Sequence, residues 1–217
     1  MTLVKSRKRV RDHGEVFTPD FIVDDMLDLV KNETENIESR FLEPACGDGN
    51  FLIKVLERKL AVVERKYKKS QFDYERNTLI VIGSIYGVEL LDDNVKLARE
   101  RLFDFLFQNY KKLFKKKVNE DFLQSVKYVL GKNILQGNAL DLKDKKGDPI
   151  VFAEWSPVNG VKIKRKDFTF EEIIREDKTE TLFQENKIGD DGKVVFLPQP
   201  VKDYPPVNFL TLYKAYE

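Results

Sequence analysis

The stretch that decides the fold is Phe41-Leu42-Glu43-Pro44-Ala45-Cys46-Gly47-Asp48-Gly49-Asn50-Phe51. An apolar pair leads into an acid, two glycines stand one residue apart, and an amphipathic helical pattern follows. The glycines allow a tight turn and a close approach of the backbone to a ligand. The first N–H groups of the helix behind the turn have no partner within the helix and can bind such a ligand. The stretch predicts a strand, a nucleotide-binding turn and a helix, although a plain strand-to-helix turn has the same glycine spacing.

The composition is that of one charged globular domain. The chain has 217 residues, of which 41% are hydrophobic and 35% charged, with a net charge of +1, and this length allows a sizeable core. It contains no apolar run of roughly eighteen residues, so we expect no membrane span and a cytoplasmic location. The single cysteine excludes an internal disulfide and a cysteine-based zinc site. The lone histidine, His13, makes no metal site.

Local positive charge lies in two runs, residues 5–11 and 111–117. Such runs can contact nucleic-acid phosphates, but the same pattern is typical of solvated helix faces. Because the net charge is near zero, composition alone gives no argument for nucleic acid.

Apolar residues recur with a helical period in four segments. These segments are residues 18–35, 51–67, 93–116 and 119–130. Thr18 is predicted to cap the first helix, with Pro19 in its first helical position. Gly131 is predicted to end the fourth helix in a left-handed conformation.

The apolar run at residues 79–91 predicts a buried parallel strand, preceded by a polar surface excursion over residues 67–77. The strand ends near Glu89, and an acid at this place holds ribose hydroxyls in dinucleotide folds. The other reading is an acid that caps the following helix. A short strand and turn are predicted near residues 133–141.

Four motifs resemble those of the DNA adenine-N6 methyltransferases of restriction–modification systems. Glu43-Pro44-Ala45-Cys46-Gly47-Asp48-Gly49-Asn50-Phe51 resembles their S-adenosylmethionine loop, and Gly14-Glu15-Val16-Phe17-Thr18-Pro19 resembles the motif that precedes it and lies across the cofactor. Tyr86-Gly87-Val88-Glu89-Leu90 resembles their ribose-binding motif. Gly137-Asn138-Ala139-Leu140 resembles the motif that contacts the adenine edge of the cofactor.

The resemblance implies the cofactor S-adenosyl-L-methionine and an α/β fold, a doubly wound, mostly parallel Rossmann-like methyltransferase sheet. It implies that Glu89 holds the ribose and that Asn138 pairs with the adenine edge, while a plain turn asparagine explains Asn138 equally well. The implied cofactor-binding residues are Phe17, Thr18, Pro19, Glu43, Pro44, Ala45, Cys46, Gly47, Gly49, Asn50, Phe51, Glu89, Leu90, Asn138 and Ala139.

The catalytic motif of the resembled family is Asp-, Asn- or Ser-Pro-Pro followed by an aromatic residue, after a fourth strand. Here the predicted fourth strand, residues 149–153, continues as Glu154-Trp155-Ser156-Pro157-Val158. As catalytic residues, Ser156 or Glu154 would accept a hydrogen bond from the adenine N6 amino group, and Trp155 would stack on the flipped base. In the alternative, Trp155 fills an empty base pocket and the isolated chain is inactive.

The predicted organisation is a basic arm at residues 1–13, a cofactor-binding domain at 14–160 and an extension of unknown role at 161–217. The sheet is expected to be incomplete, because too little chain remains for three further strands. The leading hypothesis is a modification subunit that reaches DNA through a partner subunit. The alternatives are an inactive cofactor-binding subunit that works with such a partner and a Rossmann-type module for another nucleotide.

Overall fold

The computed structural model of the chain describes residues 7–13, 18–115, 117–174, 187–188, 194–195 and 199–216. The α-helices are α1 (Arg7–His13), α2 (Asp20–Leu29), α3 (Lys31–Glu35), α4 (Asn50–Tyr67), α5 (Gln71–Gly83), α6 (Asp92–Phe114), α7 (Glu120–Asn133), α8 (Phe170–Ile174) and α9 (Leu212–Ala215). A 3-10 turn, Phe209–Thr211, precedes α9. Within the described residues, every helix is too short or too polar to cross a membrane.

Three short strands form a parallel sheet in the order β1 (Phe41–Glu43), β2 (Ile85–Glu89) and β3 (Ile134–Gln136). In this sheet Glu43 lies opposite Gly87, and Glu89 lies opposite Gln136. The carboxyl ends of all three strands therefore meet at one edge, directly before the glycine loop, α6 and the turn at residue 137. The predictions of an α/β fold and of strands at these three places are confirmed.

The two faces of this sheet are covered differently. Buried residues of α4, α5, α6 and α7 form one large cluster with Ile85 and Ile134. On the opposite face, Tyr86 and Val88 pack with Ile150, Phe152 and Phe170 in a smaller cluster. The long helices thus cover one face, and the hairpin that follows residue 150 covers the other.

The other strands pair antiparallel in sheets separate from the parallel one, so the predicted fourth strand does not extend the parallel sheet. β4 (Val151–Asn159) and β5 (Lys162–Thr169) form a hairpin, which β8 (Lys202–Asp203) and β9 (Val207–Asn208) extend along β5. β6 (Lys187–Ile188) and β7 (Val194–Val195) pair with each other. A two-residue turn joins β4 to β5, and a turn of that length can only connect antiparallel strands.

The apolar run at residues 79–91 divides between a helix and a strand, which corrects the prediction of one long strand. α5 includes residues 71–83, and Ser70 caps it by accepting a hydrogen bond from the Asp73 N–H at 3.3 Å. Nearly every residue from Tyr74 to Gly83 is buried. A helix that is buried on all sides lacks a polar face, so its sequence has no helical periodicity and resembles that of a buried strand.

Two helix ends also differ from the predictions. Pro19, not Thr18, occupies the position before α2, and no side chain caps that helix. α7 continues through Gly131 to Asn133 and then passes directly into β3. Gly131 has no positive φ, so the predicted left-handed cap is absent there.

The last described residues pack on the same core as the first part of the chain. Phe209, Leu212 and Tyr216 belong to the large cluster, and the Tyr128 hydroxyl donates to the Tyr216 carbonyl at 2.8 Å. β5 supplies most of the pairing in the antiparallel sheet. Residues on both sides of position 160 therefore share one sheet and one core.

Lys59 lies in the middle of α4 with a fully buried side chain. Its Nζ donates to Ser84 Oγ at 2.8 Å and to the Ser39 carbonyl, so it joins the segments that precede β1 and β2. Burial lowers the pKa of this ammonium group to about 7, and the nearby Glu33 carboxylate partly opposes the shift.

We expect Lys59 to make the free energy of unfolding rise by about 2 kcal/mol between roughly pH 7.5 and roughly pH 9.5. In this window the unfolded chain still holds the lysine proton, since its pKa there is ~10.4, whereas the folded chain has released it. In chemical denaturation across this range, the free energy of unfolding of the parent should rise by about 2 kcal/mol relative to that of Lys59→Met, since all other titrating groups are common to both proteins. Lys66→Met, an exposed change on the same helix, should keep it. An equal rise in the parent and Lys59→Met would contradict this assignment.

Candidate functional site

A cleft of about 660 Å³ opens at the carboxyl ends of β1, β2 and β3. Open α/β sheets bind ligands at this edge, and small-molecule sites have volumes of ~300–1,000 Å³. The lining residues are Thr18, Met26, Glu43, Pro44, Ala45, Cys46, Gly47, Asn50, Phe51, Glu89, Leu90, Leu91, Gly137, Asn138, Ala139 and Leu140.

The glycine loop between β1 and α4 forms one wall of the cleft. Gly47 and Gly49 have φ angles of 54° and 86°, in the left-handed region that favours glycine. The Cys46 N–H donates to the Val88 carbonyl at 2.9 Å, which ties the loop to β2. A Cβ on Gly49 would lie 3.1 Å from the Ala98 Cβ, so this glycine also allows α4 to begin close to α6.

Glu89, the last residue of β2, holds the loop and the start of α6 together. One carboxylate oxygen, Oε2, accepts from the Gly47 N–H at 2.9 Å, and the other, Oε1, accepts from the Leu91 N–H at 2.9 Å. Asn94 Nδ2 approaches Oε1 at 3.4 Å. Glu89 therefore makes the contacts at the start of α6 that the helix-capping alternative predicts. Since Oε2 has a second lone pair, the carboxylate can also accept from a ligand hydroxyl.

The charged side chains of the cleft wall are acidic. Glu43 and Glu89 supply two carboxylates, and no lysine or arginine stands among the lining residues that the structure describes. Burial raises the pKa of Glu43, and a hydrogen bond from the Ala45 N–H opposes that shift. Burial, and after it the charges of Glu89 and Glu43, raise the pKa of Cys46 far above its usual range. Cys46 is therefore a neutral thiol, and the cleft favours a cation over a phosphate.

Asn138 lies where β3 turns back across the cleft. Its Oδ1 accepts a hydrogen bond from the Leu140 N–H at 3.0 Å. This is the contact expected of an asparagine that only stabilises a turn. The Gly137 N–H donates to the Glu89 carbonyl at 3.0 Å and keeps this turn beside β2. Leu140, one residue past the predicted set, is 95% exposed at the mouth of the cleft.

The structure brings most of the predicted cofactor-binding residues together around this cleft. Phe17 lies outside the described residues, Pro19 precedes α2, and Gly49 stands behind the loop without lining the cleft. Sequence reasoning missed Met26, Leu91, Gly137 and Leu140. Gly137 and Leu140 belong to the quoted motif around Asn138, and Leu91 follows Leu90, so their position in or beside a motif was the available signal.

The four residues predicted to be catalytic do not line the cleft, which corrects their expected placement after a fourth parallel strand. Glu154 forms an ion pair with Arg40 beside a second, mainly apolar cavity of about 420 Å³. Trp155 points to the opposite side of β4 and is 7% exposed in the large core cluster. Ser156 is half-buried and Pro157 exposed, farther along the same antiparallel strand.

Metal ligands are absent from the described part of the chain, where no group of three or more His, Cys, Asp or Glu side chains could hold an ion. The cleft therefore offers carboxylates, an amide, backbone N–H groups and apolar side chains. These groups can bind a nucleoside-like molecule with hydroxyls and a positive charge.

The parallel sheet and the cleft at its edge are consistent with a methyltransferase-like fold. Residues 22–150 match the family described as MmeI, DNA-methyltransferase domain. Because the match includes more than half of the chain, the chain belongs to this family.

A relative from Methanocaldococcus jannaschii is named "Putative type II restriction enzyme and methyltransferase RM.MjaORFECS2P". It is 33% identical to this chain over 104 residues, which are 46% of this chain and 8% of the relative. The chain thus spans a small part of that protein's length. The family match confirms the prediction of a DNA-methyltransferase domain.

Proposed function

We propose that the chain is the S-adenosyl-L-methionine-binding domain of a DNA adenine-N6 methyltransferase. The observation that carries the cofactor proposal is the acidic cleft. S-adenosyl-L-methionine is a nucleoside with a sulfonium, an ammonium and one carboxylate group, so its net charge is positive, and both cations are attracted by Glu43 and Glu89. A dinucleotide such as NAD would place its pyrophosphate against these carboxylates without a basic partner among the described lining residues, which is unfavourable.

The described residues fit this cofactor. Glu89 would accept from the ribose hydroxyls, and Asn138 would contact the adenine edge. Glu43 would attract the ammonium or sulfonium group, while the Gly47 region lets the backbone approach the ligand closely. The apolar side chains of Met26, Leu90 and Leu140 at the cleft would exclude water from the adenine ring.

The cofactor supplies a methyl group on a positively charged sulfur. We propose adenine N6 in DNA as the acceptor, because the order of the motifs is that of the adenine-N6 enzymes. The chain would contribute by holding the methyl donor in one orientation, so that transfer gains from proximity rather than from a strong base. No covalent intermediate with the protein is needed.

We expect Glu89→Ala to weaken S-adenosyl-L-methionine binding by about 50-fold, since hydrogen bonds to a charged group contribute ~1.5–3 kcal/mol. Gly47→Val should abolish binding, because valine is strained at the φ of 54° that this position adopts. Isothermal titration with S-adenosyl-L-methionine and with NAD measures both effects.

The matched control is Glu57→Ala, which removes an exposed acid from α4 and should leave the affinity unchanged. Circular dichroism establishes that each variant is folded. Tighter binding of NAD, or parent-like affinity in both cleft variants, would refute the cofactor proposal.

A second candidate is a cofactor-binding subunit that needs a partner chain for catalysis or DNA recognition. Two observations favour it: residues 154–157 lie away from the cleft, and no described strand pairs with the outer edge of β1. Such an edge is a template for a strand from another polypeptide. A tritiated methyl-transfer assay on mixed genomic DNA separates the candidates, because robust transfer by the purified chain alone would exclude the need for a partner.

A further inference from the structure

Asn50, the first residue of α4, joins the glycine loop to the segment that precedes α2. Its side-chain Nδ2 donates to the Thr18 carbonyl at 2.9 Å and to Asp20 Oδ1 at 3.0 Å. Asn50 is only 8% exposed, and both Asn50 and Thr18 line the cleft. One amide group therefore connects two walls of the cleft that are thirty or more positions apart in the chain.

The body of α2 is held on α4 by contacts that do not involve Asn50. Val23 and Leu27 are fully buried, and Arg58 Nη1 donates to Asp28 Oδ1 at 2.7 Å. The start of the helix is held less well, since no side chain caps it at Pro19. Loss of the Asn50 amide should therefore release the start of α2 while the rest of the helix stays in place.

We propose that Asn50 is a positioning residue that fixes Thr18 relative to the glycine loop before the ligand arrives. This inference deepens the proposed function and rests on it, because the ligand concerned is S-adenosyl-L-methionine. A ligand binds more weakly when it must first order a wall of its site, since the ordering entropy is then lost on binding. Asn50 thus sets affinity without having to touch the transferred methyl group.

The test is Asn50→Asp, which keeps the shape of the side chain but replaces the donor with a carboxylate facing Asp20. The added carboxylate would by itself attract this cationic ligand, so weaker binding, by about tenfold in isothermal titration, reports the loss of positioning. Without ligand, hydrogen exchange should become faster at the Ile22 and Val23 amides, which donate to the Pro19 carbonyl. Exchange at the end of α2 should stay as in the parent.

Two further variants separate positioning from general loss of stability. Asn109→Asp makes the same chemical change at a partly buried helical asparagine that donates to the Phe105 carbonyl at 2.8 Å, and it should leave binding unchanged. Adding Asp20→Asn to Asn50→Asp returns an amide–carboxylate pair with the donor exchanged. We expect the double variant to bind roughly threefold more tightly than Asn50→Asp alone. The hydrogen bond to Thr18 stays absent, so the parent affinity is not reached.

The outcomes distinguish this inference from the proposed function. If the parent does not bind S-adenosyl-L-methionine, the proposed function fails and the affinity role fails with it. If the parent binds and Asn50→Asp binds within about twofold of it, only the positioning role is overturned. An equal loss in Asn109→Asp would also overturn it, because the effect would then be one of general stability.

Discussion

Replacing Trp155 with alanine is expected to lower the free energy of unfolding by about 3–5 kcal/mol, the cost of emptying a large aromatic site in a core. The indole is 7% exposed and packs against Gly83, where an added Cβ would lie 3.0 Å from the Trp155 Cβ. Its ring centroid is 6.1 Å from that of Tyr128. Its Nε1 donates to Asn133 Oδ1 at 3.0 Å, so alanine also removes the partner of a buried acceptor.

Urea denaturation of three variants tests this role. Trp155→Phe should cost less than alanine, because it keeps most of the ring and loses only the bond to Asn133. Val158→Ala, at an exposed position of the same strand, should change stability by less than about 0.5 kcal/mol. The folded alanine variant should keep the cofactor affinity of the parent. Lost methyl transfer with unchanged stability would instead support base stacking by Trp155.

Arg101→Ala is expected to cost about 3–5 kcal/mol, because it leaves a buried carboxylate without its cation. The Asp48 side chain, inside the glycine loop, is 8% exposed, and its Oδ2 lies 2.6 Å from Arg101 Nη1. The same Nη1 donates to the Asp48 carbonyl at 2.9 Å. Among the described residues, Asp48 Oδ1 has no hydrogen-bond partner, so Arg101 is the main compensation for this charge.

A double-mutant cycle isolates the pair. Asp48→Asn added to Arg101→Ala should recover a large part of the lost stability, because a neutral amide is cheaper to bury than a carboxylate. The control Arg76→Ala removes an exposed bond to the Gly160 carbonyl and should cost less than about 1 kcal/mol. A loss below about 1 kcal/mol in Arg101→Ala, or no recovery in the double variant, would show that Asp48 does not depend on Arg101.

The placement of the cleft could be predicted because its signals are local. Gly47 and Gly49 mark a turn that few other residues can adopt, and Glu89 closes an apolar run. Once these segments are strands of one parallel sheet, their carboxyl ends must meet at the same edge. Glu43, Glu89 and Asn138 stand at or just after the ends of these strands, and they therefore meet around one cleft.

Other features depended on contacts with residues that are distant in the chain, which the local sequence does not reveal. Residues 79–83 are apolar in either a buried helix or a buried strand, and only their enclosure in the core cluster made them the end of α5. Trp155 follows a strand as a catalytic aromatic would, yet the antiparallel register of β4 and β5 turned it towards the core. The partners of Lys59 and Arg101 are likewise set by packing.

By itself the sequence determined the family, the three parallel strands and the residues gathered at their carboxyl ends, because each of these follows from a short segment and its order in the chain. Only the tertiary structure decided which helices enclose the sheet, where Trp155 and Glu154 lie, and how Asn50 joins Thr18 to the glycine loop. These features depend on long-range burial and hydrogen bonding, which arise only after distant segments have packed together.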